Sequence, residues 1–509
     1  MSGLGLQHHG EWLKLSSAAD IETNLVLYLQ HQRAAADFQN HLWNQRTQLA
    51  LLVRNALHLQ AEDGCEICSR QSWIQGGFNV CVMVAVKSSG RSTTYVLRCP
   101  FPHRVAESQY PGTMDEKLRC EVATYIWIQE HCPDIPIPKL HAFGFTDGRQ
   151  FTQHDQASLL ARFCRYIRRQ VHRLFGLSLL SNYHPSSCPP TSKVGHMLLE
   201  YIRPDVGQML STTWESFKDE PQRSRRLFKA ISRLILSLAR VPQARIGSWR
   251  FNPDDCTISL TNRPLMVSTM TFEHSGTPRI IQQDQTYCCT DSFVADTLTL
   301  YDEHMRHNPH AVADEEDAYE RMAMRTLLRA VSHHFLMREL RQGPFILQFT
   351  DLHQSNIFVD NDWNITYLVD LEWICALPAE MLSVPYWLTG CSVDEIVGEQ
   401  YELYDATRQT FLSIMDEERT AKQKELTLIL RNSWESKGVW FWASLKSLNA
   451  WHFLFQDHIL PKFFANNQAI ALLKPASNLW QENAEAMAKQ KAKDEEEYRE
   501  ELERNCSVK

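Results

Sequence analysis

A chain of 509 residues is too long for one hydrophobic core, so a two-lobed domain with additions is expected. Its 44% hydrophobic content suits a packed globular protein, and a formal charge of −8 offers no polybasic field for nucleic acid or an anionic membrane. The 14 cysteines are scattered, and the C-x-x-C of Cys65 and Cys68 lacks a second pair to complete a zinc site, so reduced thiols are expected.

Residues 1–70 read as a helical extension. Positions 21–59 repeat Leu, Ala and Arg at helical spacing behind Ser16, Ser17 or Asp20 as a cap, giving a face to pack against a lobe or, in a homo-oligomer, a second subunit. From Gln71 the period changes to two, and 71–75, 80–86 and 93–99 predict three strands separated by Gly76-Gly77 and Ser88-Ser89-Gly90. The first turn, Gly76-Gly77-Phe78-Asn79, lets backbone N–H groups approach phosphates. Lys87 and Arg98 are the two cations available nearby. Residues 115–131 predict a helix with Asp115 and Glu116 at its start, Glu121 at its middle, His131 at its end and Pro133 beyond.

A strand at 140–144 precedes an enlargement. Residues 151–180 set Arg162, Arg165, Arg168, Arg169 and Arg173 among Leu, Phe, Tyr and Ile, and a Pro/Ser loop follows to Ser192. This amphipathic basic helix reads as an insertion with one solvated charged face, in preference to a membrane or anionic-substrate surface. Residues 197–202 predict a strand, 224–241 an amphipathic helix, 247–265 a hairpin and 322–341 a second long helix.

The sequence ILQFTDLHQSNIFVDNDWNITYLVDLEWICALP, 346–378, carries the chemistry. Asp351 and Asn356 precede an apolar strand, four turn formers reverse the chain, and a second strand returns it to Asp370 near Asn356. Phosphoryl transfer needs such a grouping, because it is mostly positioning and charge neutralisation. Asp351 suits the base that takes the acceptor proton, and Asn356 and Asp370 suit magnesium ligands.

With D-L-H-Q-S-N and the V-D-L-E segment, His353 and Glu372 included, this stretch resembles the aminoglycoside phosphotransferase and choline kinase branch of the protein-kinase-like fold, specifically fungal proteins with an aminoglycoside phosphotransferase domain. Phe349 and Thr350 depart from the His-Gly that usually opens the motif. The resemblance implies an α+β bilobal fold, with a small β-rich lobe over 71–202 interrupted by an insertion at about 151–192, a helical lobe over 203–475 and a charged helical tail over 476–509. It implies ATP or GTP with Mg²⁺, and a small hydroxylated acceptor. It also implies phosphate positioning by Arg98, in preference to Lys87, with Glu121 as its partner, and adenine recognition by the backbone of Glu200, Tyr201 and Ile202. The helices after Pro378 would bind the acceptor, although their tryptophans read more simply as core. A protein kinase fits less well, because Pro378 leaves no room for a long activation segment after Asp370. The alternative is a weak or silent nucleotide-binding scaffold, favoured by Phe349 and Arg98 and opposed by the intact Asp351, Asn356 and Asp370.

The tail, 484–504, lacks sustained heptads and reads as a solvated or frayed helix. No stretch reaches the roughly 20 apolar residues of a membrane span, and the first residues do not form a leader, so a soluble, cytoplasmic protein is expected.

Overall fold

The computed structural model describes residues 4–8, 11–14, 17, 21, 23–153, 159–186, 192–464 and 474–508. Among them the architecture is α+β: an antiparallel sheet of eight strands within the first 200 residues, then a larger, mainly helical lobe. This is the α+β order expected from the sequence, a β-rich part followed by a larger helical one.

Asn79–Ser88 and Arg91–Pro100 form the spine of the sheet, in register from Asn79↔Pro100 to Ser88↔Arg91. Ser89 and Gly90, at φ 50° and 75°, make the two-residue turn whose twist matches that of the strands. Val80, Val82, Val84 and Val86 alternate along the first strand and therefore share a face. Leu42, Leu49, Leu52 and Val53 of helices Leu25–Asn44 and Arg46–Ala56 cover that face, so the N-terminal helices are a layer of this lobe. The strand Gly64–Ile67 adds to the outer edge, pairing Ile67 with Val84, and the sheet thus begins before residue 71. The strand expected over 71–75 is reduced to Ile74–Gln75 behind a 3-10 turn at Arg70–Ser72. On the other side His196–Glu200 lies against Arg91–Pro100 with Met197 opposite Arg98, and Leu140–Gly144, Gln150–Gln153 and Tyr183–Pro185 continue outward.

The helix Thr113–His131 starts after Gly112, at φ 93°, and carries the expected acidic first turn. It is buried along most of its length, with the strand pair Ser248–Asn252 and Thr257–Asn262 packed against it. Arg263, just beyond that pair, is fully buried and binds Glu116 through Nε at 2.9 Å while also pairing with Glu273. Removing one partner of a buried ion pair leaves an uncompensated charge, so these contacts hold the helix in place from the far side.

In the larger lobe, the helix expected at 322–341 runs from Glu315 to Val331, capped by Asp314 Oδ1 accepting from Asp317 N at 2.9 Å. Ser332–His334 and Arg338–Leu340 are separate 3-10 turns. Phe345–Phe349 pairs antiparallel with Ile374–Pro378, enclosing the inner hairpin of Ile357–Val359 and Ile365–Leu368. The tryptophan-rich stretch is broken into Lys424–Glu435, Gly438–Ser444 and Trp451–Leu454, and Trp440, Trp442 and Phe455 are core residues.

The tail differs from expectation. Ala484–Asn505 is a helix with Ala484, Ala488, Lys491, Glu495, Tyr498 and Leu502 buried, and it packs on Glu315–Val331 and on the N-terminal helix. Its buried positions recur at four- and three-residue steps as one narrow stripe, in which the charged Lys491 and Glu495 are paired. Lys491 Nζ donates to the Asn308 carbonyl at 2.6 Å, capping the Thr290–His307 helix with a positive charge at its C-terminus.

Candidate functional site

Between the two lobes the outer strand Phe345–Phe349 delivers the chain to Thr350, whose N and Oγ1 donate to the Trp373 carbonyl at 3.1 and 2.8 Å. The loop that follows is thereby pinned to the turn after Asp370. Asn356 is buried, and its Nδ2 donates to the Asp351 carbonyl at 2.8 Å; Val369 N donates to the Asn356 carbonyl at 3.0 Å. Three backbone-anchored contacts thus gather Asp351, Asn356 and Asp370. The donor end of the Asn356 amide is spent on the loop, which leaves its oxygen for other partners. Asp370 sits in the left-handed region at φ 61°, ψ 59°, a conformation costing on the order of 1 kcal/mol for a non-glycine residue.

In that conformation the Asp370 carboxylate meets Arg98. One guanidinium nitrogen of Arg98 pairs with Glu121, and the other pairs with Asp370 and with Glu372 Oε2, the last at 3.0 Å. Glu372 Oε2 also takes the Lys117 ammonium and the Asn79 amide, at 3.0 Å for Asn79, while Lys117 Nζ donates to Asn79 Oδ1 at 2.9 Å. Lys117 is wholly buried and Glu372 nearly so. Two cations and three carboxylates are therefore packed together, with Asp370, 40% exposed, as the member that reaches solvent.

Burial pushes the Lys117 ammonium down to about 8, against the pull of Glu372. Burial alone would raise the Glu372 carboxyl, but Lys117 and Arg98 outweigh it and hold the group below the usual range. Burial pushes the Asp351 carboxyl above its ordinary value; His353 opposes this and Glu372 adds to it. An ionisable group displaced by burial and a named neighbour, in a cleft, is a feature of reactive sites.

The residues singled out in the sequence fall in three places. Gly76 and Gly77 form an exposed turn closed by Gly76 N donating to the Asn79 carbonyl at 2.9 Å, and nothing lies near a side chain built on Gly77. Phe78 leans back onto Trp373, ring centroids 4.8 Å apart, and Asn79 turns inward to Lys117 and Glu372, so the open part of the turn is the two glycines. Arg98 reaches Glu121, whereas Lys87 is exposed at the strand end. Glu200 ends its strand, its N donating to the Lys139 carbonyl at 2.9 Å, and Tyr201 and Ile202 continue from it without regular structure.

Below Asp351 lies a cleft of about 610 Å³, with His353, Tyr386, Trp387, Trp440 and Lys446 in its walls. Trp387 Nε1 donates to the Leu352 carbonyl at 2.6 Å and fixes one wall to the loop. Lys446 Nζ donates to the Met381 carbonyl at 3.1 Å and to Ser383 Oγ at 3.4 Å, and burial pushes it down to about 8. The sequence reading overlooked Lys117 and Lys446. Lys117 had a local signal, one helical turn before Glu121; Lys446 had none, because its position depends on how the broken helices pack.

No protein-family model matches the sequence, and no curated protein matches it. Among solved structures the chain is similar to an ethanolamine kinase of Plasmodium vivax, at 10% identity over 82% of this chain and 84% of that one, with a TM-score of 0.34. Neither the identity nor the score bears on activity.

Proposed function

We propose that this protein transfers the γ-phosphoryl group of ATP or GTP to a hydroxyl of a small molecule, with magnesium. The observation that carries the proposal is the meeting of Arg98, Glu121 and Asp370 beside a loop in which Asn356 is tied to Asp351. In this reading Asp351 faces the cleft and accepts the proton of the acceptor hydroxyl, a task its raised affinity for protons assists. Arg98, braced by Glu121, positions nucleotide phosphates under the Gly76-Gly77 turn, and the backbone of Glu200 to Ile202 receives the base.

Asn356 and Asp370 supply oxygen donors suited to a hard divalent ion. Among the described residues no group of three or more His, Cys, Asp and Glu side chains forms a cation site by itself. Two protein ligands fit an ion that keeps several waters and is shared with substrate phosphates. Bound there, magnesium would neutralise charge on the transferring group.

A second reading, a nucleotide-binding protein with little turnover, is favoured by one observation: Arg98 already satisfies Asp370. Calorimetry with ATP and with GTP, with and without magnesium, on the wild type and Asp370→Ala tests the first reading. Binding that requires magnesium and is lost in Asp370→Ala is expected. Binding that ignores both the metal and the substitution would establish the second reading, and absence of nucleotide binding would remove both.

A further inference from the structure

The overall charge of the chain is negative, yet one helix concentrates the opposite sign. Leu159–Leu174 contains five arginines and no aspartate or glutamate, in a protein with a formal charge of −8. At about 100° per residue, Phe163, Tyr166, Ile167 and Leu174 fall on one arc, with positions 162 and 173 bordering it beside Tyr166, 168 beyond its other edge, and 165 and 169 on the opposite side.

Against the body of a protein such a helix normally buries the apolar arc. Here that arc is exposed. Arg169, on the opposite side of the helix, pairs with Glu130 near the end of the Thr113–His131 helix and donates to Asn182 Oδ1 at 3.2 Å. The apolar arc faces outward: Phe163 and Tyr166 are each 60% exposed and Leu174 is 82% exposed, and the patch continues through Phe175 and Leu177 at 75% and 55%. Of the fifteen large hydrophobic side chains that are exposed among the described residues, seven lie between 163 and 177. Scattered exposed hydrophobics need no explanation, but a contiguous patch of this kind marks a contact surface.

We infer that this helix docks on an anionic lipid surface, lying in the interface with its aromatic and leucine arc in the acyl boundary. Charge complementarity selects this partner: by helical spacing positions 162 and 173 lie beside the apolar arc and 168 beyond its other edge, the helix carries no acidic residue, and anionic head groups complement these positions while the acyl boundary takes the apolar arc, with Arg169 left to Glu130. No helix among the described residues is long and apolar enough to cross a membrane, so the contact is one of lying on the surface. Roughly 1 kcal/mol per arginine near such a surface makes the charge contribution decisive for a single short helix. The inference is independent of the phosphotransferase reading.

The test is sedimentation of the full chain with phosphatidylcholine vesicles containing or lacking phosphatidylserine, with sedimentation velocity on the protein alone. Binding at least tenfold stronger to the serine-lipid vesicles is expected, weakening as salt is raised. Phe163→Glu with Leu174→Glu should cost at least tenfold in binding while leaving the melting temperature unchanged, because both positions are exposed. Arg168→Glu should reduce the preference for phosphatidylserine. Failure of the wild type to sediment with these vesicles overturns the inference, as does binding that the double substitution leaves intact. A wild-type dimer that the double substitution dissociates would likewise overturn it, assigning the face to a second copy of this chain.

Discussion

Arg98 holds Glu121 through one guanidinium nitrogen and Asp370 and Glu372 through the other, and its planar fork explains how one side chain spans them. Lysine at that position keeps the charge and loses the fork. Arg98→Lys is therefore expected to weaken nucleotide binding about tenfold, read by calorimetry, because an ammonium cannot serve Glu121 and Asp370 in the same geometry. Asp351→Asn should lower kcat about 10²–10⁴-fold with little change in nucleotide affinity. The pH profile carries a sharper test. Because burial raises the Asp351 carboxyl, the acid limb of kcat/KM should lie above the ordinary aspartate range, and His353→Gln should move it to still higher pH, since His353 acts to lower it. Unchanged limbs would remove Asp351 from the role of base.

At the scale of elements, the Thr113–His131 helix is the hub, since Glu116, Lys117 and Glu121 tie it to the 248–262 strands, the turn after Asp370 and the sheet. Lys117→Met leaves the buried Glu372 with Arg98 and the Asn79 amide and should destabilise the protein by about 3 kcal/mol in denaturant unfolding; adding Glu372→Gln should recover part of that loss. Much of this hub was legible in the sequence: the helix had an acidic start, an apolar period and a proline stop, and Glu121 stood on it. The Asp351-to-Asp370 hairpin was legible for a similar reason, because turn formers and strand period are local. Three features were not. The pairing of Phe345–Phe349 with Ile374–Pro378 joins segments separated by the whole hairpin. The breaks within 434–455, one of them at Lys437 with φ 67°, leave Trp440 and Trp442 in a core whose other members are distant in the chain. The outward apolar arc of Leu159–Leu174 has the same helical period whether it faces in or out.

For the whole molecule, ionisation of buried groups sets part of the response to pH. The Lys446 ammonium is pushed from 10.5 to about 8 by burial, so between those values the unfolded chain keeps a proton that the folded chain has released. Its contribution to stability must therefore rise with pH across that window, and Lys446→Met should flatten the rise in melting temperature measured from pH 8 upward. The tail is a second whole-chain feature. Leu25 N donates to Tyr498 Oη at 3.0 Å, and Tyr498→Phe should cost about 1 kcal/mol, as expected for a buried backbone donor left without its acceptor. That contact joins residues 473 apart in the chain. On a ribosome adding about 5–20 residues per second, the N-terminal helix must wait roughly 25–95 s for the tyrosine that completes it. During that interval Leu25 and Val26, which end buried against Tyr498 and Leu502, are exposed on a nascent chain and offer a binding site to chaperones.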